Sequence, residues 1–214
     1  GIPELERSEA LGQLTEGYES VVGIAGCHGK TTITSMLALI CEQGGPDATV
    51  HIGGFVDFLN GGVRLGAHDM FITEACEYVE SFLTLRPTIA LINNIDNDHL
   101  DYYGDMEHIV AAFKKFAALL PENGLLIGNT DDFRVRALMA EHTGRKLSYG
   151  MKDADYTPAN INYDDNGCPG FDIMFRGEKL MHIQLRIPGE HSVMNAIAAA
   201  AVARELGADN KCIV

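Results

Sequence analysis

The stretch "GIAGCHGKTT", Gly23 to Thr32, follows the apolar pair Val21-Val22 and decides how the rest of the chain is read. "SVVGIA" before it reads as a short buried strand. Thr31 to Gln43 after it reads as a helix stopped by Gly44-Gly45-Pro46. A glycine-rich turn between strand and helix gathers backbone N–H groups and the positive end of the helix dipole at one point, which favours an anion. Glycines let the backbone come close to it. Lys30 is then placed to reach β- and γ-phosphates, and the Thr31 hydroxyl to hold Mg²⁺. The general signature has two glycines separated by four residues before Lys-Ser/Thr. Here that first position holds Ile24; Gly23 is too early and Gly26 too late. The plain alternative is a glycine-rich turn with a surface lysine.

Working outward, "ATVHIGG", "DMFITEA", "PTIALINNI" (Pro87 to Ile95), "GLLIGN" and "KLSYG" read as further strands. Met106 to Leu120 has helical spacing at Ile109, Phe113, Phe116 and Leu120, and "FRVRALMAEH" reads as a helix. Strands alternating with helices predict an α/β fold with a mostly parallel sheet covered on both faces. From Asp155 the pattern changes. "YTPANINYDDNGCPGFDIMFRGEKLMHIQLRI" has period-two stretches broken by Asn-Gly, Pro-Gly and Arg-Gly, which predicts a small antiparallel hairpin or meander near the C-terminal end. Ser192 to Leu206 then reads as an alanine-rich helix closed by Gly207. Residues 1–18 show no clear period and read as a linker or lead-in. No closing element is evident after the last helix, and the chain reads as a piece of a longer protein.

The 214 residues are enough for one sizeable α/β domain or two small ones, and 46% apolar with 21% charged residues is a globular composition. A net charge of −14 argues against a nucleic-acid or anionic-membrane partner. It also gives each lysine in a loop more weight as a local positive site. There is no apolar run of membrane-spanning length and no signal peptide, so a cytoplasmic protein is expected. Cys27, Cys41, Cys76, Cys168 and Cys212 are odd in number, widely spaced and without a Cys-x-x-Cys pair, which fits reduced thiols.

Three more segments carry candidate chemistry. Glu74 ends the strand "DMFITEA"; an acid there is often only a solvated loop residue, but ligands of open α/β sheets bind beyond the carboxyl ends of strands. "NNIDNDHLD", Asn93 to Asp101, packs Asp96, Asp98, His99 and Asp101 behind another strand, and carboxylates with a neutral imidazole are metal ligands. "IPGEHSVMNAIAAAA" opens a helix with His191, Ser192 and Asn195 in its first turn; Ser192 as an N-cap and Asn195 as an exposed first-turn residue is the simpler reading of that segment alone.

Taken in order, "GCHGKTT", "EACEYVESF", "INNIDNDHLDYY" and "PGEHSVMNAIAAAA" resemble the central ATPase domain of the Mur ligases. The resemblance covers nearly the whole chain, and the short Gly-x-x-Gly-Lys-Thr loop is itself a trait of that family. It implies that residues 1–18 are a linker from a missing N-terminal domain, that 19–214 form the central ATP-binding domain, and that a C-terminal domain is absent. It implies ATP and Mg²⁺ as cofactors. Gly26, Cys27, His28, Gly29, Lys30, Thr31 and Thr32 would hold the phosphates, Asn195 would contact the adenine, Asn94 would line the substrate side, Thr31 and Glu74 would hold one Mg²⁺, and His99 a second. Lys30, Glu74 and His99 would carry the chemistry: phosphorylation of a carboxylate by ATP, then attack of an amine on the acyl phosphate.

Within the family, the branch that joins L-alanine to UDP-N-acetylmuramic acid is the best match. The murein tripeptide recycling branch, a nucleotide-binding module inactive in isolation, and a P-loop kinase or GTPase are the alternatives; the last lacks the strict glycine spacing and an Asn-Lys-x-Asp motif. Cys27 and Ser192 stand where the family more often has Thr or Asn, and Asn. Several relatives carry a carbamylated lysine near Lys114, a feature not expected in the L-alanine branch. Cys27, at a helix N-terminus beside Lys30, is expected to have a depressed pKa and a reactive thiol; the plain alternative is a thiol that points into the protein and is inert.

Overall fold

In a computed structural model of the chain, which describes residues 4–214, one ten-stranded sheet organises the molecule. In chain order the elements are α1 (Arg7–Thr15), β1 (Ser20–Ala25), α2 (Lys30–Glu42), β2 (Ala48–Val56), β3 (Gly61–Arg64), β4 (Ala67–Ala75), β5 (Ile89–Ile92), α3 (Leu100–Tyr103), α4 (Met106–Ala117), β6 (Leu125–Asn129), α5 (Phe133–Glu141), β7 (Arg145–Tyr149), β8 (Tyr156–Tyr163), β9 (Pro169–Phe175), β10 (Glu178–Gln184), α6 (His191–Glu205) and α7 (Asn210–Ile213). A 3-10 segment, Tyr78–Thr84, follows β4. The strand order is β10-β9-β8-β7-β6-β5-β1-β4-β2-β3.

From β2 across to β7 the neighbours β2–β4, β4–β1, β1–β5, β5–β6 and β6–β7 are all parallel. β8, β9 and β10 form the expected antiparallel meander. It joins the parallel part through a single register pair, Tyr149 with Tyr156. The mostly parallel α/β sheet is thus borne out. β1 is buried from Val21 to Ala25, as a central parallel strand covered on both faces must be. One face packs Val22, Ile24, Ile72, Leu91 and Ile127 under α2 and α6; the other packs Ala25, Ala90, Ile92 and Leu126 against α4, α5 and the 3-10 segment. Phe82 stacks on Phe116 and meets Phe113 edge-on in that second core.

Helix α6 differs from the others. Eleven of its fifteen residues are buried, a run of alanines among them, so it is apolar on every side rather than on one stripe. Small side chains let it lie close to α2 on one flank and to the meander on the other.

Two expectations need correction. The lead-in is not without regular structure: Arg7–Thr15 is helical, started by a reciprocal capping box between Glu6 and Glu9. Its buried positions are Gly12 and Thr15, so no apolar stripe announces it. Residues 1–3 of the proposed linker lie outside the described residues. Ser192 is not an N-cap: it lies inside α6, buried, and its hydroxyl donates to the Pro188 carbonyl at 2.9 Å.

Candidate active site

The strand order reverses around β1, because α2 leads from it to β2 on one side while the chain later crosses to β5 on the other. Crevices at such switch points, beyond the carboxyl ends of the strands, are where open α/β sheets bind ligands. Three loops meet there, following β1, β4 and β5, and they carry nearly every residue singled out from the sequence.

The loop after β1 runs Gly26 to Gly29. Gly26 has φ +141° and Gly29 φ +88°, backbone that side-chain-bearing residues rarely adopt. A Cβ on Gly29 would lie 2.6 Å from Asn93 Nδ2 and 2.7 Å from Asn195 Oδ1. Both glycines are thus demanded by conformation, and Gly29 by space as well. Gly29 caps α2 without a side-chain hydrogen bond, and the first turn holds no acidic residue. Its N–H groups are left to an outside anion.

Not all the loop amides are free, however. Cys27 N donates to Asn94 O at 3.3 Å and His28 N to Asn94 Oδ1 at 2.8 Å. His28 is exposed, its ring 3.8 Å from Asp96. Thr32 is half-buried in the first turn of α2.

Lys30 does not project into solvent. Its Nζ lies 2.8 and 3.0 Å from the two oxygens of Glu77 and also donates to the Gly26 carbonyl. The Glu77 side chain is 2% exposed, which makes this ion pair a buried one and each charge dependent on the other. Glu77 is further fixed by Tyr103, whose buried hydroxyl donates to its backbone carbonyl. Glu74 stands apart, accepting from Thr31 Oγ1 at 3.1 Å and from Gly53 N at 2.8 Å. His99 has Nε2 3.9 Å from Glu77 Oε1 and Nδ1 3.8 Å from Asp98 Oδ1, with its ring against that of Tyr78.

The residues expected to hold two Mg²⁺ ions lie in two separate groups. Thr31 and Glu74 offer one group of oxygen donors. His99 joins Glu77 and Asp98, whose ligand atoms all lie within 4.8 Å of one another. Hard oxygen donors with one imidazole suit a divalent cation such as Mg²⁺. Backbone strain gathers at the same place: Val79 and Glu80 behind Glu77, and His99 itself, are left-handed at φ 54°, 54° and 55°. For a β-branched residue such as Val79 this is an outlier, of the kind that concentrates at functional sites.

Asn195 lies 5% exposed on α6, its Oδ1 3.5 Å from Asn93 Nδ2, so the structure brings it to the phosphate loop. Lys114 does not join the site: it pairs with Glu141 at 2.7 Å in a groove of about 520 Å³ between α4 and α5. The reactive thiol is overturned. Cys27 is 9% exposed, its Sγ accepts from Asp96 N at 3.1 Å and donates to Asp96 O at 3.4 Å, and burial pushes its pKa up to about 11. The helix terminus and Lys30 do not offset the lost hydration.

Glu77, Asn93 and Tyr149 are residues that sequence reasoning passed over. Glu77 stood in view inside "EACEYVE", three residues past the acid that was chosen. Nothing local marks it as the buried one.

The Mur ligase middle domain family matches residues 24–203. The UDP-N-acetylmuramate–L-alanine ligase of Alkaliphilus metalliredigens (strain QYMF) is 45% identical over 210 residues, 98% of this chain and 46% of that protein. That of Clostridium beijerinckii is 43% identical over 211 residues, with the same coverage. The chain thus spans about half the length of the curated relatives it matches.

Among solved structures, the UDP-N-acetylmuramate:L-alanyl-gamma-D-glutamyl-meso-diaminopimelate ligase from Neisseria meningitides superposes with a TM-score of 0.84 at 26% identity, over 97% of this chain and 68% of that one. UDP-N-acetylmuramate-alanine ligase MurC from Thermotoga maritima does so with a TM-score of 0.77 at 25% identity, over 94% and 45%. With a family match across most of its length and the fold to go with it, this chain belongs to the Mur ligases, as one of their middle domains.

Proposed function

We propose that this chain is the ATP-binding middle domain of a cytoplasmic ligase that joins L-alanine to UDP-N-acetylmuramic acid, with residues 1–18 leading in from an N-terminal domain and a C-terminal domain following. The observation that carries the reading is the convergence of Lys30, Thr31, Glu74, Glu77 and His99 from three adjacent strand ends. The relatives named for the L-alanine reaction, at 40–45% identity, favour it over the tripeptide ligase that the fold also resembles.

The chain's own residues have definable work in such a reaction. Phosphoryl transfer from ATP to a carboxylate requires positioning and charge neutralisation more than covalent help from the protein. The amides of Gly29 to Thr32 cradle the phosphates. Lys30, pre-aimed by Glu77 and the Gly26 carbonyl, meets the charge on the transferred group. Thr31 with Glu74, and His99 with Glu77 and Asp98, are the donor sets for Mg²⁺, which when bound supplies further neutralisation of the phosphate oxygens. Asn195 faces the base end. The acceptor carboxylate and the amine are delivered by the other domains.

The test has two arms. Calorimetry on the isolated chain is expected to show weak Mg·ATP binding, and no amide when both substrates are added. The full-length parent is expected to release phosphate with UDP-N-acetylmuramic acid and L-alanine but not with the tripeptide. Absence of ATP binding, or preference of the parent for the tripeptide, sinks the reading.

A further inference from the structure

The loop that cradles the phosphates is held from below by side chains that the reaction itself does not use. Tyr149, the last residue of β7, is completely buried on the sheet face covered by α6. Its hydroxyl donates to Asn93 Oδ1 at 2.6 Å. Asn93, 5% exposed, donates in turn through Nδ2 to the His28 carbonyl at 2.9 Å and lies 3.5 Å from Asn195 Oδ1.

The direction of this chain of bonds follows from chemistry. A backbone carbonyl only accepts, so the Asn93 nitrogen must face His28. Its oxygen then faces Tyr149, whose hydroxyl must be the donor. Burial keeps that phenol well above its ordinary pKa, so it remains a donor throughout the working range.

Asn94 completes the hold. Its Oδ1 accepts from His28 N at 2.8 Å, its Nδ2 donates to His28 O at 2.9 Å, and its carbonyl accepts from Cys27 N. Both backbone groups of His28 are thereby tied to the segment after β5. The same Asn93 amide closes the space in which Gly29 turns, shared with Asn195. One buried asparagine therefore touches the phosphate loop and the residue at the base end, and one buried tyrosine fixes its orientation.

We propose that Tyr149 and Asn93 are positioning residues that hold the phosphate loop and Asn195 in a single preformed arrangement, so that a nucleotide meets a loop already in place. Tyr149 has no exposed surface with which to touch a ligand, so its effect must pass through Asn93. A preformed loop loses less freedom on binding, and the gain is read as affinity. The nucleotide part rests on the function proposed above. The ordering of the loop does not.

The experiment uses this chain and reads both. Hydrogen exchange of the peptide covering Cys27 to Thr31 is measured without nucleotide in the wild type, in Tyr149→Phe, in Asn93→Ala and in Ile127→Val. Ile127 is fully buried in the same core but makes no polar contact with the loop, and serves as the control for a general loss of packing. Tyr149→Phe and Asn93→Ala are each expected to speed loop exchange about tenfold, while Ile127→Val leaves it unchanged. ATP affinity is expected to fall about tenfold in each, and the double variant to bind no worse than Asn93→Ala alone, as members of one network do.

Loop exchange that is unchanged in both variants overturns the proposal, whatever ATP does. So does equal loosening in Ile127→Val, or additive losses in the double variant. Loosening of the loop in a chain that proves not to bind ATP upholds the positioning role and removes the functional reading instead.

Discussion

The parallel strands β2 to β7 and the antiparallel meander β8–β10 share one sheet, yet they handle polar residues in opposite ways. Parallel strands all end at the same edge, so the loops after β1, β4 and β5 converge and bring Glu74, Glu77, Asp98 and His99 to the edge where Lys30 pairs with Glu77. In the meander successive strands run in opposite directions, and Asp172 and Lys179 sit within the strands themselves. There Asp172 accepts from Lys179 at 2.8 Å, His182 at 2.7 Å and Asn160 at 2.9 Å. Lys179, Asn160 and His182 hold its carboxyl far below the usual range. Asp172 is neutralised on the spot by its own strands; the parallel half accumulates acid that bound cations would balance. Direction of pairing, more than composition, decides which half has chemistry to offer.

The largest effect that separates the two halves is on turnover. In the full-length parent, Glu74→Ala is expected to lower turnover by about 10²–10³, the usual cost of removing one preorganised electrostatic group. Asp172→Asn is expected to leave it within about twofold, since Asp172 serves only its own strands. A comparable loss in both variants would erase the distinction.

Next comes packing between the halves. Ala200 is fully buried in α6, and Ala200→Leu is expected to cost about 1–3 kcal/mol of stability in urea denaturation, because a close-packed interior has no room for the added carbons. Failure to destabilise would mean that α6 is less confined than its burial implies.

A smaller, pH-dependent effect belongs to the joint itself. Asp155 accepts from Ser148 N at 2.9 Å, from Ser148 Oγ at 3.0 Å and from Arg176 Nε at 2.9 Å, tying β7 to the meander. Burial disfavours its charge, but the Ser148 N–H, Arg176 and the Ser148 hydroxyl outweigh that and lower its pKa. A depressed carboxyl pKa adds stability above the unfolded value near 3.9, and the gain is lost as pH falls through the folded value. Asp155→Asn should therefore cost about 1 kcal/mol at pH 7, and the difference from wild type should start to shrink only below about pH 4. A difference that does not shrink at all as pH is lowered further would show that charge is not its source.

The smallest effect is chemical. With its thiol buried and its pKa near 11, Cys27 should label more slowly with iodoacetamide at pH 8 than the half-buried Cys76. Peptide mapping after brief alkylation checks this, and faster labelling of Cys27 would mean that the loop opens in solution.

What could be read beforehand follows the same division. The sheet, α2, α4, α5, the meander and α6 were legible because long apolar runs, Gly-Lys-Thr and turn residues all act locally. α1 was hidden because its buried face holds Gly12 and Thr15 in place of large apolar side chains. β3, with "GGVR", has too little side chain to alternate. Lys30, Thr31 and Glu74 could be nominated from their place behind strands. Glu77 could not, because its burial depends on Lys30 and Tyr103, distant in the chain. Cys27 was misjudged for the same reason: the helix terminus and the lysine are sequence neighbours, whereas Asp96, which encloses the thiol, lies beyond β5.

Helix α6 leaves the molecule without a seam. Its burial on every side means that the meander cannot melt away and leave the parallel strands intact, since that would strip one flank of a helix that has no polar side to turn toward water. Heating should accordingly give one calorimetric transition, with van't Hoff and calorimetric enthalpies equal. Damage far out on β9 or β10 should then lower the temperature at which the phosphate loop itself comes apart.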